Sequence, residues 1–115
     1  MEFINRDGFL KKVCNYVDNS EWQYLGSKPC VIDFYDESCM PCKALAPVLL
    51  SVSEKYKNIV TFYKVDIQTE EQLSKELGIK YLPTLVLCAV DEKPIVLQGI
   101  TSEKDLISRI DKELL

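Results

Sequence analysis

Histidine is absent from the 115-residue sequence, and its absence excludes several kinds of site. Without an imidazole, the chain cannot build a Ser/His/Asp triad, a Cys/His catalytic pair or a zinc site with histidine ligands. Any proton transfer must therefore use carboxylates, lysines or thiols.

Other absences exclude whole classes of protein. No apolar run approaches the length of a membrane span, and the first seven residues lack the basic and apolar segments of a secretory signal. The net charge is -4, and lysine and arginine form no cluster that would bind a phosphate backbone. We therefore expect a soluble cytoplasmic protein that binds neither nucleic acid nor membranes.

The composition that is present fits one ordinary globular domain. Hydrophobic residues make up 47% and charged residues 28%, and 115 residues suffice for a single core, so we expect one domain over residues 1–115. Three of the five cysteines, Cys14, Cys30 and Cys88, stand singly among apolar residues. This placement favours buried free thiols in a reducing compartment over a disulfide framework.

Hydrophobic periodicity and capping residues predict an α/β fold. The predicted elements are a helix at 6–18, a strand at 30–35, a helix containing Pro47, a strand at 59–67, a short helix between a capping box at 69–72 and Gly78, strands at 84–90 and 95–97, and a helix capped by Ser102. This order predicts a central mixed β-sheet with helices on both faces.

The segment ESCMPCK, at 37–43, places Cys39 and Cys42 three positions apart, directly after the first predicted central strand. Such a pair can be incidental, a metal half-site, a structural disulfide or a reversible redox couple. A structural zinc needs four ligands, and the chain has neither histidine nor a second CxxC. A strand before the pair and a helix after it favour the redox couple.

The predicted helix assigns different roles to the two thiols. Cys39 lies at the N-cap, where unpaired N–H groups and the positive end of the helix dipole favour a thiolate, the species that attacks a disulfide. Pro41 is tolerated in the first turn, and Cys42 follows one turn along, close enough to form a disulfide with Cys39. We therefore predict that Cys39 attacks and that Cys42, packed deeper, resolves the mixed disulfide.

A carboxylate interrupts the apolar run that precedes the pair. Asp33 lies between Ile32 and Phe34, and the alternation of a strand puts its side chain on the opposite face, under the following helix and near Cys42. Burial would raise its pKa toward neutrality, where it can take and return a proton; a solvated edge position is the alternative. Lys64 is either the charge that holds Asp33 ionised or a solvated strand lysine.

These residues resemble the thioredoxin family over almost the whole chain. Residues 31–43 (VIDFYDESCMPCK) are similar to the family's VDFWAEWCGPCK, Lys64-Val65-Asp66 to its K-x-D strand end, and the segment from Gly78 to Leu85 to its G-I…IPT segment. The resemblance implies a thioredoxin-like fold in which the first edge strand is confined to residues 2–4. It also implies a redox-active Cys39–Cys42 disulfide without further cofactor or metal.

The same resemblance implies further roles. Pro83 would be the cis-proline that faces the dithiol, although X-Pro bonds in general are mostly trans. Asp33 would be the buried acid and Lys64 its partner. The predicted substrate groove comprises Ser38, Met40, Pro41, Leu82, Pro83 and Gly99.

Two positions depart from the family pattern, with Ser38 in place of tryptophan and Met40 in place of glycine.

The main interpretation is a monomeric thiol-disulfide oxidoreductase that reduces disulfide-containing proteins, takes part in electron transport and cell redox homeostasis, and is recycled by thioredoxin reductase. The alternatives are a thioredoxin-fold module that binds one partner, with Ser38 and Met40 as its altered surface, and a disulfide oxidase or isomerase with a changed redox potential.

Overall fold

The computed structural model describes all residues from Met1 to Leu115. Its elements are β1 (Glu2–Phe3), α1 (Arg6–Lys12), β2 (Cys30–Tyr35), α2 (Met40–Lys55), β3 (Thr61–Asp66), α3 (Glu71–Glu76), β4 (Thr84–Cys88), β5 (Ile95–Gln98) and α4 (Glu103–Glu113). None of the four helices combines the length and the hydrophobicity that a membrane crossing requires.

The five strands form one sheet in the order β1-β3-β2-β4-β5. β1 and β2 run parallel to β3, whereas β4 is antiparallel to both β2 and β5, so the predicted mixed sheet is confirmed. β2 lies at the centre and all six of its residues are buried. A strand covered on both faces needs a nearly continuous apolar sequence, which explains the run that begins at Cys30.

Each face of the sheet carries a hydrophobic core of similar size. The core beneath α2 and α4 has 13 buried residues, among them Leu45 and Leu106, and the core beneath α1 and α3 has 12, among them Phe9 and Leu73. The two cores are nearly equal in size, and helices cover both faces of the sheet, as predicted. α2 is therefore fixed against the sheet along its length, with its first turn beyond the end of β2.

The first helix is shorter than the predicted range of 6–18. It ends at Lys12 because the next backbone groups find other partners. The carbonyl of Val13 accepts a hydrogen bond from the N–H of Leu25 (2.8 Å), and the Asn15 side chain accepts one from the N–H of Asp18 (3.2 Å). An asparagine that bonds the local backbone competes with helical hydrogen bonds.

The predicted capping box at 69–72 is wrong in its details. Helix α3 does form, but its N-cap is Glu70, which makes no side-chain capping bond. The Thr69 hydroxyl instead donates to the carbonyl of Asp66 (3.2 Å). The strands predicted at 59–67 and 84–90 are also shorter, spanning Thr61–Asp66 and Thr84–Cys88.

Candidate active site

The two cysteines of the CxxC segment form a disulfide at the N-terminus of α2, with their Cα atoms 5.2 Å apart. Cys39 is the N-cap, and its Sγ accepts a hydrogen bond from the backbone N–H of Cys42 (3.2 Å). Pro41 occupies the first turn, where a missing N–H breaks no helical bond. The helix terminus thus offers an N–H group and a positive dipole end to any negative charge on the Cys39 sulfur.

Burial distinguishes the two sulfurs. Cys39 is half-buried, whereas Cys42 is 6% exposed and belongs to the inward face of α2. A large disulfide substrate can reach the sulfur at the helix cap more easily than the one below it.

The loop between β2 and Cys39 is organised by Asp36, which sequence reasoning did not identify. Its Oδ1 accepts hydrogen bonds from the N–H and the hydroxyl of Ser38 (both 3.0 Å), and its Oδ2 accepts one from Nε2 of Gln68 (2.8 Å). These bonds, led by the one from the Ser38 backbone N–H, lower the pKa of Asp36. An Asp followed two residues later by Ser is a turn signal that could have revealed this loop.

Asp33 is buried beneath the dithiol helix. It is 4% exposed, and it lines a cavity of about 470 Å³ together with Cys42, so the structure brings these two residues to one site. The buried Oδ1 atom of Asp33 has no hydrogen-bond partner. Burial raises the pKa of Asp33 to about 6, while the positive charge of Lys64 acts in the opposite direction.

Lys64 lies beside Asp33 without forming an ion pair with it. The two residues are register partners on β3 and β2. Asp33 takes part in none of the three ion pairs of the structure. The Lys64 ammonium instead lies over two aromatic rings, 4.6 Å from the centroid of Tyr35 and 5.3 Å from that of Phe3.

Pro83 and Gly99 meet at the end of the sheet where the chain leaves β2 for the dithiol. Thr84 is the register partner of Phe34, so Pro83 precedes β4 at this end, and the Leu82–Pro83 peptide bond is cis. The N–H of Gly99 donates to the Pro83 carbonyl (2.8 Å). Gly99 has a φ of +89°, which an L side chain rarely adopts, and the space beside its Cα is open.

Exposed apolar residues lie next to the dithiol, to Pro83 and to Gly99 in the sequence. Met40, the residue after Cys39, is 71% exposed. Tyr81 and Ile100, which flank Leu82-Pro83 and Gly99 in sequence, are exposed as well, although sequence analysis did not predict them. Apolar groups grouped next to a reactive centre are typical of a surface that binds another protein.

The remaining three cysteines are free and buried, as predicted. Cys30 and Cys88 are register partners on β2 and β4. Contact with the Cys30 thiol and burial raise the pKa of Cys88, which keeps it protonated. The structure contains no group of three or more Cys, Asp or Glu side chains arranged to hold a metal ion.

Comparison with known proteins identifies the family. The sequence model of the Thioredoxin family matches residues 13–112. The chain belongs to the thioredoxin family. Members of this family are protein-disulfide oxidoreductases, and the Cys39–Cys42 disulfide is the redox-active pair that this chemistry requires.

Individual relatives support the assignment. The chain is 39% identical over 110 residues to a thioredoxin of Borreliella burgdorferi, covering 96% of this chain and 93% of that one. It is 38% identical over 89 residues to a chloroplastic F-type thioredoxin of Brassica napus, but it spans about half (47%) of that longer protein while the match covers 75% of this chain. Chloroplastic thioredoxin z has the same fold, with a TM-score of 0.81 at 22% identity over 97% of this chain and 92% of that one.

Proposed function

We propose that this thioredoxin-family protein is a general reductase of protein disulfides in the cytoplasm, that it acts as a monomer, and that thioredoxin reductase recycles it. The observation that carries the proposal is the unequal burial of the two disulfide-bonded cysteines at the N-terminus of α2, with Cys39 partly buried and Cys42 buried.

In the first step, the Cys39 thiolate attacks one sulfur of a substrate disulfide. A Cys39–substrate disulfide forms, the substrate S–S bond breaks, and the second substrate sulfur leaves as a thiolate that takes a proton from water. The N–H of Cys42 and the helix dipole stabilise the Cys39 thiolate before this attack.

In the second step, Cys42 gives its proton to the Asp33 carboxylate and attacks Sγ of Cys39. The Cys39–Cys42 disulfide forms, the bond between Cys39 and the substrate breaks, and the substrate sulfur that Cys39 attacked first leaves as a thiolate. The shared cavity of Asp33 and Cys42 supports this proton transfer. A pKa of about 6 leaves the carboxylate mostly ionised at neutral pH yet able to bind a proton. Two electrons from the reductase then restore the dithiol.

The direct test is the reduction of insulin disulfides by dithiothreitol in the presence of the protein. We expect catalytic amounts of the wild type to accelerate this reaction strongly and a Cys39→Ser/Cys42→Ser double variant to leave it at the uncatalysed rate. Equal rates with the two proteins would contradict the proposal.

Met40 is expected to contribute to substrate binding. Its exposed side chain follows the attacking cysteine directly, so a bound protein would cover it, and full burial of a methionine side chain is worth about 1.5–3 kcal/mol. We expect Met40→Ala to raise the KM for insulin by about threefold to tenfold, which corresponds to part of that energy.

Leu50→Ala is the matched control for this measurement. Leu50 is also an exposed apolar residue of α2, at 57%, but it lies ten positions further along, which is about 15 Å at the rise of an α-helix. We expect its KM to stay at the wild-type value. The same KM for Met40→Ala and Leu50→Ala would remove Met40 from the substrate surface.

A partner-binding module is the second candidate, and the exposed Met40 is the observation that favours it. Together with Ser38, it gives the dithiol a surface unlike the family pattern. If insulin reduction were absent while one protein formed a stable complex with the oxidised form, this candidate would replace the first.

A further inference from the structure

The sheet places an aromatic residue of the edge strand in line with the buried acid. Phe3 on β1 is the register partner of Lys64 on β3, and Lys64 is the register partner of Asp33 on β2. In a parallel sheet, register partners project from the same face, so these three side chains form a row beneath α2. Phe3 and Asp33 accordingly line the same cavity.

The contacts of Lys64 within this row are unusual. An ammonium next to a buried carboxylate with an unpaired oxygen is expected to form an ion pair, because an orphaned buried acceptor costs free energy. Instead, Lys64 Nζ lies over the rings of Tyr35 (4.6 Å to the centroid) and Phe3 (5.3 Å), within the range of cation–π attraction. The two aromatic rings are the groups in contact with the ammonium, so they are the groups that compensate for the missing ion pair.

We propose that Phe3 is a positioning residue whose ring, together with that of Tyr35, holds the Lys64 ammonium at the mouth of the cavity and away from an ion pair with Asp33. The inference rests on the proposed role of Asp33 as the proton acceptor for Cys42. An ion-paired Asp33 would be a poorer base, since an opposite charge in contact favours the ionised carboxylate.

Phe3 can be substituted with little effect on the packing of the rest of the fold. It is 68% exposed, it ends a two-residue strand, and it belongs to neither hydrophobic core. Besides Asp33 and Lys64, the charged or titratable groups lining the cavity are Tyr35, Asp36, Glu37, Lys43 and, in the reduced protein, the Cys42 thiol. All of these groups are present in every Phe3 variant, so a difference in the Asp33 pKa between variants is the effect of the side chain at position 3.

The test is the pKa of Asp33, followed through the side-chain carboxyl resonance in NMR titrations of the full-length reduced protein. In Phe3→Leu, an apolar side chain still covers the cavity but attracts no cation, so Lys64 can approach Asp33. We expect the Asp33 pKa to fall by about half a pH unit or more, the size of one surface cation–π contact. Phe3→Ala should lower it further by admitting water, and Phe3→Tyr should retain the wild-type value.

Phe3→Leu in a Lys64→Met background distinguishes positioning of the ammonium from simple covering of the cavity by the side chain at position 3. With Lys64→Met, no ammonium remains to be held, so Phe3→Leu should leave the Asp33 pKa unchanged in that background. An Asp33 pKa in Phe3→Leu that is equal to or higher than in the wild type, or an equal fall with and without Lys64, would overturn the inference. Neither result depends on turnover, so the inference can fail while Asp33→Asn still slows the reaction and the proposed function stands.

Discussion

Cys42→Ser is expected to accumulate a stable mixed disulfide with substrate proteins, whereas Cys39→Ser is expected to form none and to lose activity by about a thousandfold or more. Cys39 is the cysteine at the helix cap; its sulfur accepts an N–H, and the residue is only partly buried. Removing Cys42 leaves that attack intact but removes the second thiol that releases the product. Non-reducing electrophoresis and mass spectrometry of the trapped complex measure this directly.

The reciprocal variants are matched controls for one another, because each removes one sulfur from the same pair. Equal trapping by both variants would mean that either sulfur can attack, and trapping by Cys39→Ser alone would reverse the assignment. Cys14→Ser combined with Cys42→Ser serves as a control for thiol number, since Cys14 is buried outside the site and its removal should leave trapping unchanged.

Asp33→Asn is expected to stabilise the folded protein and to slow its turnover. Burial raises the pKa of this carboxyl from 3.8 to about 6, roughly two pH units, so the ionised group costs the oxidised protein up to about 3 kcal/mol at neutral pH. The amide still buries polar atoms, which offsets part of the gain. We therefore expect a net stabilisation of about 1–3 kcal/mol at pH 7–8, measured by denaturant unfolding of both oxidised proteins.

The stabilisation expected for Asp33→Asn depends on pH, and the direction of that dependence can be checked. The unfolded carboxyl ionises near its ordinary value of 3.8, whereas the folded one holds its proton up to about pH 6. Between these values the folded chain binds more protons, so stability falls as the pH rises from about 4 to about 6, and the full cost is present above the folded pKa. Below pH 4 the wild type and Asp33→Asn should have nearly the same stability, apart from the properties of the amide.

Asp33→Asn should slow turnover, although it stabilises the folded protein. Without the carboxylate, Cys42 must lose its proton to water, and general-base assistance is typically worth a hundredfold or more, about 10²–10⁴. We expect Asp33→Asn to slow the second step near neutral pH and the wild-type limb near pH 6 to disappear from the rate profile. A variant with an unchanged profile and unchanged stability at pH 7 would remove Asp33 from both roles.

Some parts of this structure could be predicted from the sequence because the signals are local. The run from Cys30 to Tyr35 predicts a buried central strand, and its bounds are confirmed. Ser102 was predicted as the cap of the last helix, and its side chain accepts a hydrogen bond from the N–H of Asp105 (3.1 Å). The face of Asp33 follows from strand alternation, and its burial is likewise confirmed.

Other parts depend on contacts between residues far apart in the chain. The end of α1 could not be read from periodicity, because the Val13 carbonyl bonds to Leu25 in the next loop. The position of Lys64 depends on the pairing of a two-residue edge strand, which places Phe3 beside it. The sequence suggested that Lys64 could hold Asp33 ionised, but strand order and aromatic contacts decide where its ammonium lies.

The measurement that tests the central claim most directly is the equilibration of the protein with oxidised and reduced dithiothreitol, with quantification of thiols at each residue by mass spectrometry. We expect one reversible two-electron couple confined to Cys39 and Cys42, lost in either serine variant, while Cys14, Cys30 and Cys88 remain reduced throughout. The absence of a reversible couple at Cys39 and Cys42 would contradict the assignment of this chain as a thiol-disulfide oxidoreductase.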